Sequence, residues 1–328
     1  MKTIIQLTKK GTIFTGQEQN LELMKLEFDK QHCIKLPRFL ETELLQFIQQ
    51  KLQYANFCER NYKDYDVDAF DLCLKDKTIK STLEFLANDQ NLFKLIQHIT
   101  GCPEIGCFTG GGYSMNPGYG HYDSWHNDLS EHRMIAMSIN LSNGIYSGGF
   151  LQIRDAKTKK ILHEITNTGF GDCVIFRISP SLEHRVTKVK GKVARTVLTG
   201  WFRSKPSYTN LLKKKASKFK SEATPKKLSF LKDLIFYTEK ELFYIYSGST
   251  TNIFNPRDRN YYSTDPIGTE ILNLLHKPRT IDEIRGYIQN KYLVKKTQCD
   301  KDVLNLLHQF AVNNLIISRK TNLAGQKK

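Results

Sequence analysis

Between Gly101 and Phe202 the chain is dominated by glycine, aromatic and β-branched residues, with turn signals at short intervals. Such residues suit a pleated, half-buried surface, and glycine at this frequency interrupts helices. The pattern predicts a many-stranded antiparallel fold. Candidate strands are 108–115, 120–126, 134–141, 150–154, 160–165, 172–176, 184–189 and 194–203. Gly148-Gly149 and Gly169-x-Gly171 fall where the chain needs tight turns.

Within this region stands Tyr122-Asp123-Ser124-Trp125-His126-Asn127-Asp128, with His126-x-Asp128 at its core. On a strand, residues two apart share a face, so His126 and Asp128 can grip one ion from one side. A second histidine, His184, stands in Leu182-Glu183-His184-Arg185-Val186. Two neutral imidazoles and one carboxylate make the facial triad of non-haem Fe(II) and leave coordination positions open. Zinc is the chief rival metal. A zinc hydrolase would use the same three ligands but would not require Arg195, eleven residues beyond His184. An arginine fork binds a carboxylate bidentately, most strongly in a dry pocket. Strand alternation puts Arg195, Val197, Thr199 and Trp201 on one face. His121, His132, His163, His276 and His308 are assigned no role.

This ordered set resembles the 2-oxoglutarate/Fe(II) dioxygenases, and within them the prolyl-4-hydroxylase-like group. The residues that carry it are His126-x-Asp128, Arg133, Gly148-Gly149, Gly169-x-Gly171-Asp172, Val174-Ile175-Phe176, His184, and Arg195 through Trp201-Phe202. The resemblance implies an α+β protein whose core is a double-stranded β-helix, or jelly roll. It implies Fe(II), 2-oxoglutarate as cosubstrate, dioxygen, and ascorbate as a candidate reductant. His126, Asp128 and His184 would hold the metal. Arg195, Thr199 and Tyr113 would hold the cosubstrate, with Asn140 where several relatives carry a further tyrosine. Trp125 would pack beside the metal, and Arg133 would orient Asp128 or reach substrate.

The flanks fit the same plan. Residues 21–28 roughly alternate apolar and polar, which reads as an early strand; 33–36 reads as a second. Residues 41–52 have helical spacing, as do 81–99, where Ser81 and Glu84 suggest a capping box and Asn88-Asp89 suggests a break into two helices. These helices are expected to brace the outer face of the barrel. No run of about 18 apolar residues exists, so no membrane span is expected. The start of the chain is too polar for a signal peptide. Seven scattered cysteines suit a reducing cytoplasm better than a disulfide framework. The formal net charge of +16 is densest from Lys213-Lys214-Lys215 to Lys226-Lys227, which reads equally as a solvated linker or as a surface for nucleic acid or an acidic partner.

The expected division is 1–206 for the oxygenase domain, with the jelly-roll core at about 101–203, then 207–227 as basic linker and 228–320 as a second domain. In the last of these, 228–240 is amphipathic, 242–247, 252–255 and 260–264 read as strands, and helical signals follow. Thr280 with Glu283 makes a capping box. Gly268-Thr269-Glu270-Ile271-Leu272-Asn273-Leu274-Leu275, Pro278-Arg279-Thr280-Ile281-Asp282-Glu283-Ile284, Tyr292, Asp302-Val303 and Asn314-Leu315-Ile316 resemble the PqqD-like domains. That resemblance implies a small sheet on a winged-helix-like unit that captures the leader of a ribosomally made precursor peptide. The groove is expected between 252–255 or 260–264 and the helix 302–312.

Together these readings point to a cytoplasmic peptide hydroxylase fused to its own substrate-recognition element. The alternatives are a general prolyl or asparaginyl hydroxylase with a vestigial second domain, and a nucleic-acid-binding protein.

Overall fold

The chain's opening residues correct one sequence expectation. The structure is a computed structural model and describes residues 4–63, 67–130, 132–166, 168–217, 219 and 234–320. Strands β1 (Ile5–Thr8) and β2 (Gly11–Phe14) form a hairpin, helix α1 (Glu18–Gln31) follows, and β3 (Cys33–Leu36) comes next. Residues 21–28 are therefore helical, not a strand. Leu23 and Leu26 are exposed and Phe28 is fully buried, so the apolar residues form no single stripe that periodicity could detect.

The chain folds as two compact units, Met1–Lys214 and Lys215–Lys328. In the first, α2 (Thr42–Leu52) precedes two strands that the sequence did not announce, β4 (Phe57–Lys63) and β5 (Asp68–Leu74). Helices α3 (Lys77–Ala87) and α4 (Gln90–Thr100) come next. The expected break at 88–89 is present, because Asp89 caps α4 by accepting the Asn91 N–H at 2.9 Å. The expected Ser81/Glu84 box is not. Asp76 is the N-cap of α3, accepting the Ile79 N–H at 2.8 Å, and Ser81 lies inside the helix.

The barrel strands are β6 (Cys107–Met115), β7 (Tyr122–Asp123), β8 (Arg133–Asn140), β9 (Ser147–Gly148), β10 (Leu151–Asp155), β11 (Ile161–Ile165), β12 (Cys173–Arg177), β13 (Leu182–Val186), β14 (Val189–Lys190) and β15 (Arg195–Arg203). Helix α5 (Tyr208–Lys215) follows, inside the stretch expected as linker. The large sheet runs β3-β12-β8-β15-β6-β5-β4, with β7 paired to β5. It is antiparallel and curls into a half-barrel; β11-β10-β13 and the pair β14-β9 form the smaller sheets of the jelly roll.

Strand β15 shows how alternation builds the two faces. Phe202 is fully buried against Phe108 and against Phe93 of α4, at 5.2 and 6.0 Å between ring centroids. Burying one such ring contributes about 1.5–3 kcal/mol. Asn88, at the α3–α4 junction, accepts the Phe108 N–H at 2.7 Å and donates to the Phe108 carbonyl at 2.9 Å. The helices therefore brace the outer face of this sheet, as expected. The alternate residues of β15 point the other way.

In the second unit β16 (Leu234–Thr238) lies within the amphipathic stretch; residues 228–233 of that stretch lie outside the described residues. Strands β17 (Phe243–Ser247), β18 (Thr250–Asn255) and β19 (Asn260–Thr264) form one antiparallel sheet in that order. Helix α6 (Pro266–Leu275), strand β20 (Arg279–Thr280), helix α7 (Ile281–Tyr292), helix α8 (Lys296–Val312) and strand β21 (Ile316–Lys320) complete the unit. A second sheet runs β20-β16-β21. The Thr280/Glu283 capping box is present, with the Thr280 N–H donating to Glu283 at 2.7 Å. Strand β18 is bonded on both sides, so 252–255 has no free edge to offer a peptide; β17 and β19 are the outer strands.

Candidate active site

The site starts from a single backbone pairing. His126 and His184 exchange both main-chain hydrogen bonds, 3.0 Å from the His126 N–H to the His184 carbonyl and 2.7 Å in return. Two histidines 58 residues apart are thereby placed side by side, with ring centroids 4.3 Å apart. The His126 Nδ1 lies 2.7 Å from the Ser124 carbonyl. Donating there, it leaves the Nε2 lone pair directed inward.

Asp128 joins them by a different route from strand alternation. The strand expected over 120–126 is only Tyr122–Asp123 plus the isolated bridge at His126, and Asp128 lies beyond it. Its backbone turns left-handed, with φ +59°, a conformation that aspartate tolerates better than most residues. The carboxylate then lies 3.7 Å from His126 Nε2 and 3.2 Å from His184 Nε2. The three ligand atoms lie within 4.8 Å of one another.

Two further side chains hold the carboxylate. The Trp201 indole N–H donates to Asp128 Oδ2 at 2.8 Å. Arg133 reaches Oδ1 at 3.4 Å and stacks on the Trp201 ring, 3.6 Å from its centroid. Burial opposes ionisation of Asp128, but the His184 hydrogen bond and charge, the His126 charge and the Trp201 donor outweigh it. The carboxyl is held well below the usual carboxylate range. Asp123 sits beside His126 at 3.6 Å and accepts the Val186 N–H at 2.9 Å; burial dominates there and raises its pKa.

The triad lines a cavity of about 800 Å³. Arg195, Val197, Thr199 and Trp201 line it together, as alternation along β15 requires. Tyr113 and Arg133 also line it. Three arginines reach this cavity. Arg60 is forked to Asp71, with bonds of 2.8 and 2.6 Å, and Arg133 reaches Asp128. The Arg195 guanidinium has no hydrogen bond or ion pair among the described residues, so it is available to an incoming anion. Tyr113 lies under Arg60, 4.3 Å from ring centroid to guanidinium carbon; burial raises its pKa, so its hydroxyl stays a donor.

Two expected site residues are not brought to the cavity. Trp125 packs against the guanidinium groups of Arg154 and Arg185, 4.0 and 4.5 Å from its ring centroid. The Asn140 amide is turned into the 168–169 backbone, donating to Thr168 at 2.7 Å while its oxygen accepts the Ser142 N–H at 3.0 Å. Its role is to tether a turn. The sequence reading missed Arg60, Tyr62 and Asp71, which enter the cavity from β4 and β5. The available signal was a charged residue inside the apolar run of β5, an expensive placement unless it is paired.

Comparison with known proteins agrees with this geometry. Residues 112–203 match the family model of the 2OG-Fe(II) oxygenase superfamily, and residues 251–316 match that of coenzyme PQQ synthesis protein D (PqqD). No curated protein matches the chain. Among solved structures, an oxidoreductase of the 2OG-Fe(II) oxygenase family from Burkholderia pseudomallei is 13% identical, with 62% of this chain and 97% of that chain covered and a TM-score of 0.45. A Pseudomonas putida prolyl-4-hydroxylase is 19% identical over 56% of this chain and 99% of its own, with a TM-score of 0.42. TbiB1, in complex with the TbiA(beta) leader peptide, is 19% identical over 24% of this chain and 93% of its own, with a TM-score of 0.24. The matched segment 112–203 and the His-Asp-His cluster within it define a 2-oxoglutarate-dependent dioxygenase, a class that works with Fe(II), 2-oxoglutarate and dioxygen. The second matched segment adds a PqqD domain to the same chain. No described helix is long and apolar enough to cross a membrane.

Proposed function

We propose that the chain hydroxylates a side chain of a ribosomally made precursor peptide, using Fe(II) and 2-oxoglutarate, while its PqqD domain holds the peptide's leader. The observation that carries this reading is the convergence of His126, Asp128 and His184 in one cavity with Arg195, whose guanidinium has no partner of its own among the described residues. Two imidazoles and a carboxylate fit Fe(II), and the depressed Asp128 pKa keeps that ligand ionised.

In this reading His126 and His184 use Nε2, and Asp128 its carboxylate, to hold the metal. Arg195 takes the distal carboxylate of 2-oxoglutarate, with Tyr113 and Thr199 beside it on the cavity wall. The bound metal and cosubstrate supply dioxygen activation, with oxidative decarboxylation to succinate and carbon dioxide. The chain positions and shields the reacting groups. Val197, Phe176, Leu151 and Val186 give the cavity an apolar wall that excludes water. Trp201 and Arg133 fix the orientation of Asp128. The cavity volume leaves room for a substrate side chain beside a five-carbon diacid. Tethering the leader to the same chain raises the local concentration of the core peptide.

The test is anaerobic reconstitution with Fe(II), followed by 2-oxoglutarate, air and short peptides encoded near the gene. The expected result is succinate formation coupled to a mass gain of about 16 Da, one oxygen atom, on a peptide. Succinate without any peptide product would leave an oxygenase and remove the precursor-peptide reading. Absence of succinate from iron-loaded protein would remove both.

A further inference from the structure

Strand β19 is an outer strand of its sheet, yet its edge is covered by the chain itself. Ala216 forms a parallel bridge with Tyr261. The Ser217 N–H donates to the Tyr261 carbonyl at 2.8 Å, and the Ser217 hydroxyl to Asn260 at 3.1 Å. Two residues on, Phe219 stacks on Tyr262, with centroids 5.4 Å apart and planes at 23°. The same ring lies 5.9 Å from Phe310 of α8 and packs against the core of the second unit. One stretch of backbone is thus laid along the sheet edge, and one aromatic ring is inserted between the sheet and the last helix.

Peptide capture by strand addition has this physical form. Main-chain bonds to an exposed edge provide affinity, and a pocket for one side chain provides register. Ala216, Ser217 and Phe219 lie in a lysine-rich stretch in which Phe219 is the one large apolar side chain between Leu212 and Leu228. Its insertion beside Tyr262 and Phe310 is what fixes the segment on the edge.

We propose that Ala216, Ser217 and Phe219 are an internal occupant of the second domain's peptide site. The site then accepts a strand with an aromatic residue three positions after the one that pairs with Tyr261. This rests on the reading above only in that a leader peptide is the intended competitor. A tethered segment competes at an effective concentration on the order of millimolar, so an incoming peptide binds weakly until it displaces Phe219.

The test uses a fluorescein-labelled peptide of residues 212–222 added to the full chain, with fluorescence anisotropy as readout. Two variants free the edge by different means. Phe219→Ala removes the anchor. Ser217→Pro removes the N–H that bonds to Tyr261 without touching the core, so it decides the matter if Phe219→Ala folds poorly. Binding to either variant should be at least about tenfold tighter than to the unchanged chain. A probe with alanine at its 219 position should lose that gain. Equal affinity for all three proteins, or no binding to either variant, overturns the proposal. The assay needs neither iron nor a natural substrate. If the probe binds as expected and no precursor peptide ever does, the occupied edge stands and the leader reading falls.

Discussion

The indole N–H of Trp201 donates to Asp128 Oδ2 over 2.8 Å, across 73 residues of sequence. Its ring is also the platform on which Arg133 lies. Replacing Trp201 by Phe keeps an apolar ring and deletes the donor. Partners that orient a metal ligand typically contribute 10- to 100-fold in metal affinity. Trp201→Phe should weaken Fe(II) binding by about that factor, read by anaerobic titration. An unchanged affinity would remove Trp201 from the site.

Arg195 should act on the cosubstrate alone. Losing a charged hydrogen-bonding partner costs about 1.5–3 kcal/mol, or roughly 10- to 150-fold. Arg195→Met should raise the KM for 2-oxoglutarate by that range and leave iron affinity unaltered. A drop in kcat with no change in KM would contradict the assignment.

His184 is joined to His126 through main-chain atoms, which an alanine keeps. His184→Ala should therefore lose turnover by a factor on the order of 100 or more, while circular dichroism and the melting temperature show a folded domain. Retained turnover would disprove its role as a ligand.

Gly200 and Gly110 face each other across β15 and β6. A Cβ on Gly200 would stand 2.2 Å from the Thr109 carbonyl oxygen and 2.5 Å from the Gly110 Cα, and backbone atoms cannot yield as side chains do. Gly200→Ala should cost about 1–3 kcal/mol of stability. Each kcal/mol should lower Tm by about 2–4 °C, measured by thermal melting of the metal-free chain.

The depressed pKa of Asp128 has a definite sign for stability. Its ionised form is favoured by folding, so its contribution is complete above the unfolded carboxyl value of about 3.9 and is lost as pH falls toward the folded value. Without metal, stability should fall more steeply below about pH 4 in the unchanged chain than in Asp128→Asn. Parallel curves from chemical denaturation at each pH would refute this.

Much of the plan was readable because it is local or periodic. Alternation over 195–203 needs only the pleat, so the shared face of Arg195, Val197, Thr199 and Trp201 followed from spacing. The Thr280/Glu283 box spans a single helical turn and is present. The helix α1 was misread because its apolar residues make no single buried face. The strands β4 and β5 were overlooked because β4 carries Glu59, Arg60, Asn61 and Lys63, which read as loop. They extend the sheet through β5's pairing with β6.

Residue types and spacing by themselves pointed to the antiparallel core, to His126, Asp128 and His184 as candidate metal ligands and to the inward face that carries Arg195, because these rest on ligand chemistry and on the pleat of β15. Only the tertiary structure decided how Asp128 turns toward the histidines, that Trp201 and not Asn140 lines the cavity and bonds Asp128, that Trp125 packs against two arginines, and that Phe219 stacks on Tyr262 of β19. Each of those depends on which distant segments lie side by side and on one backbone torsion, and neither leaves a periodic trace in the chain.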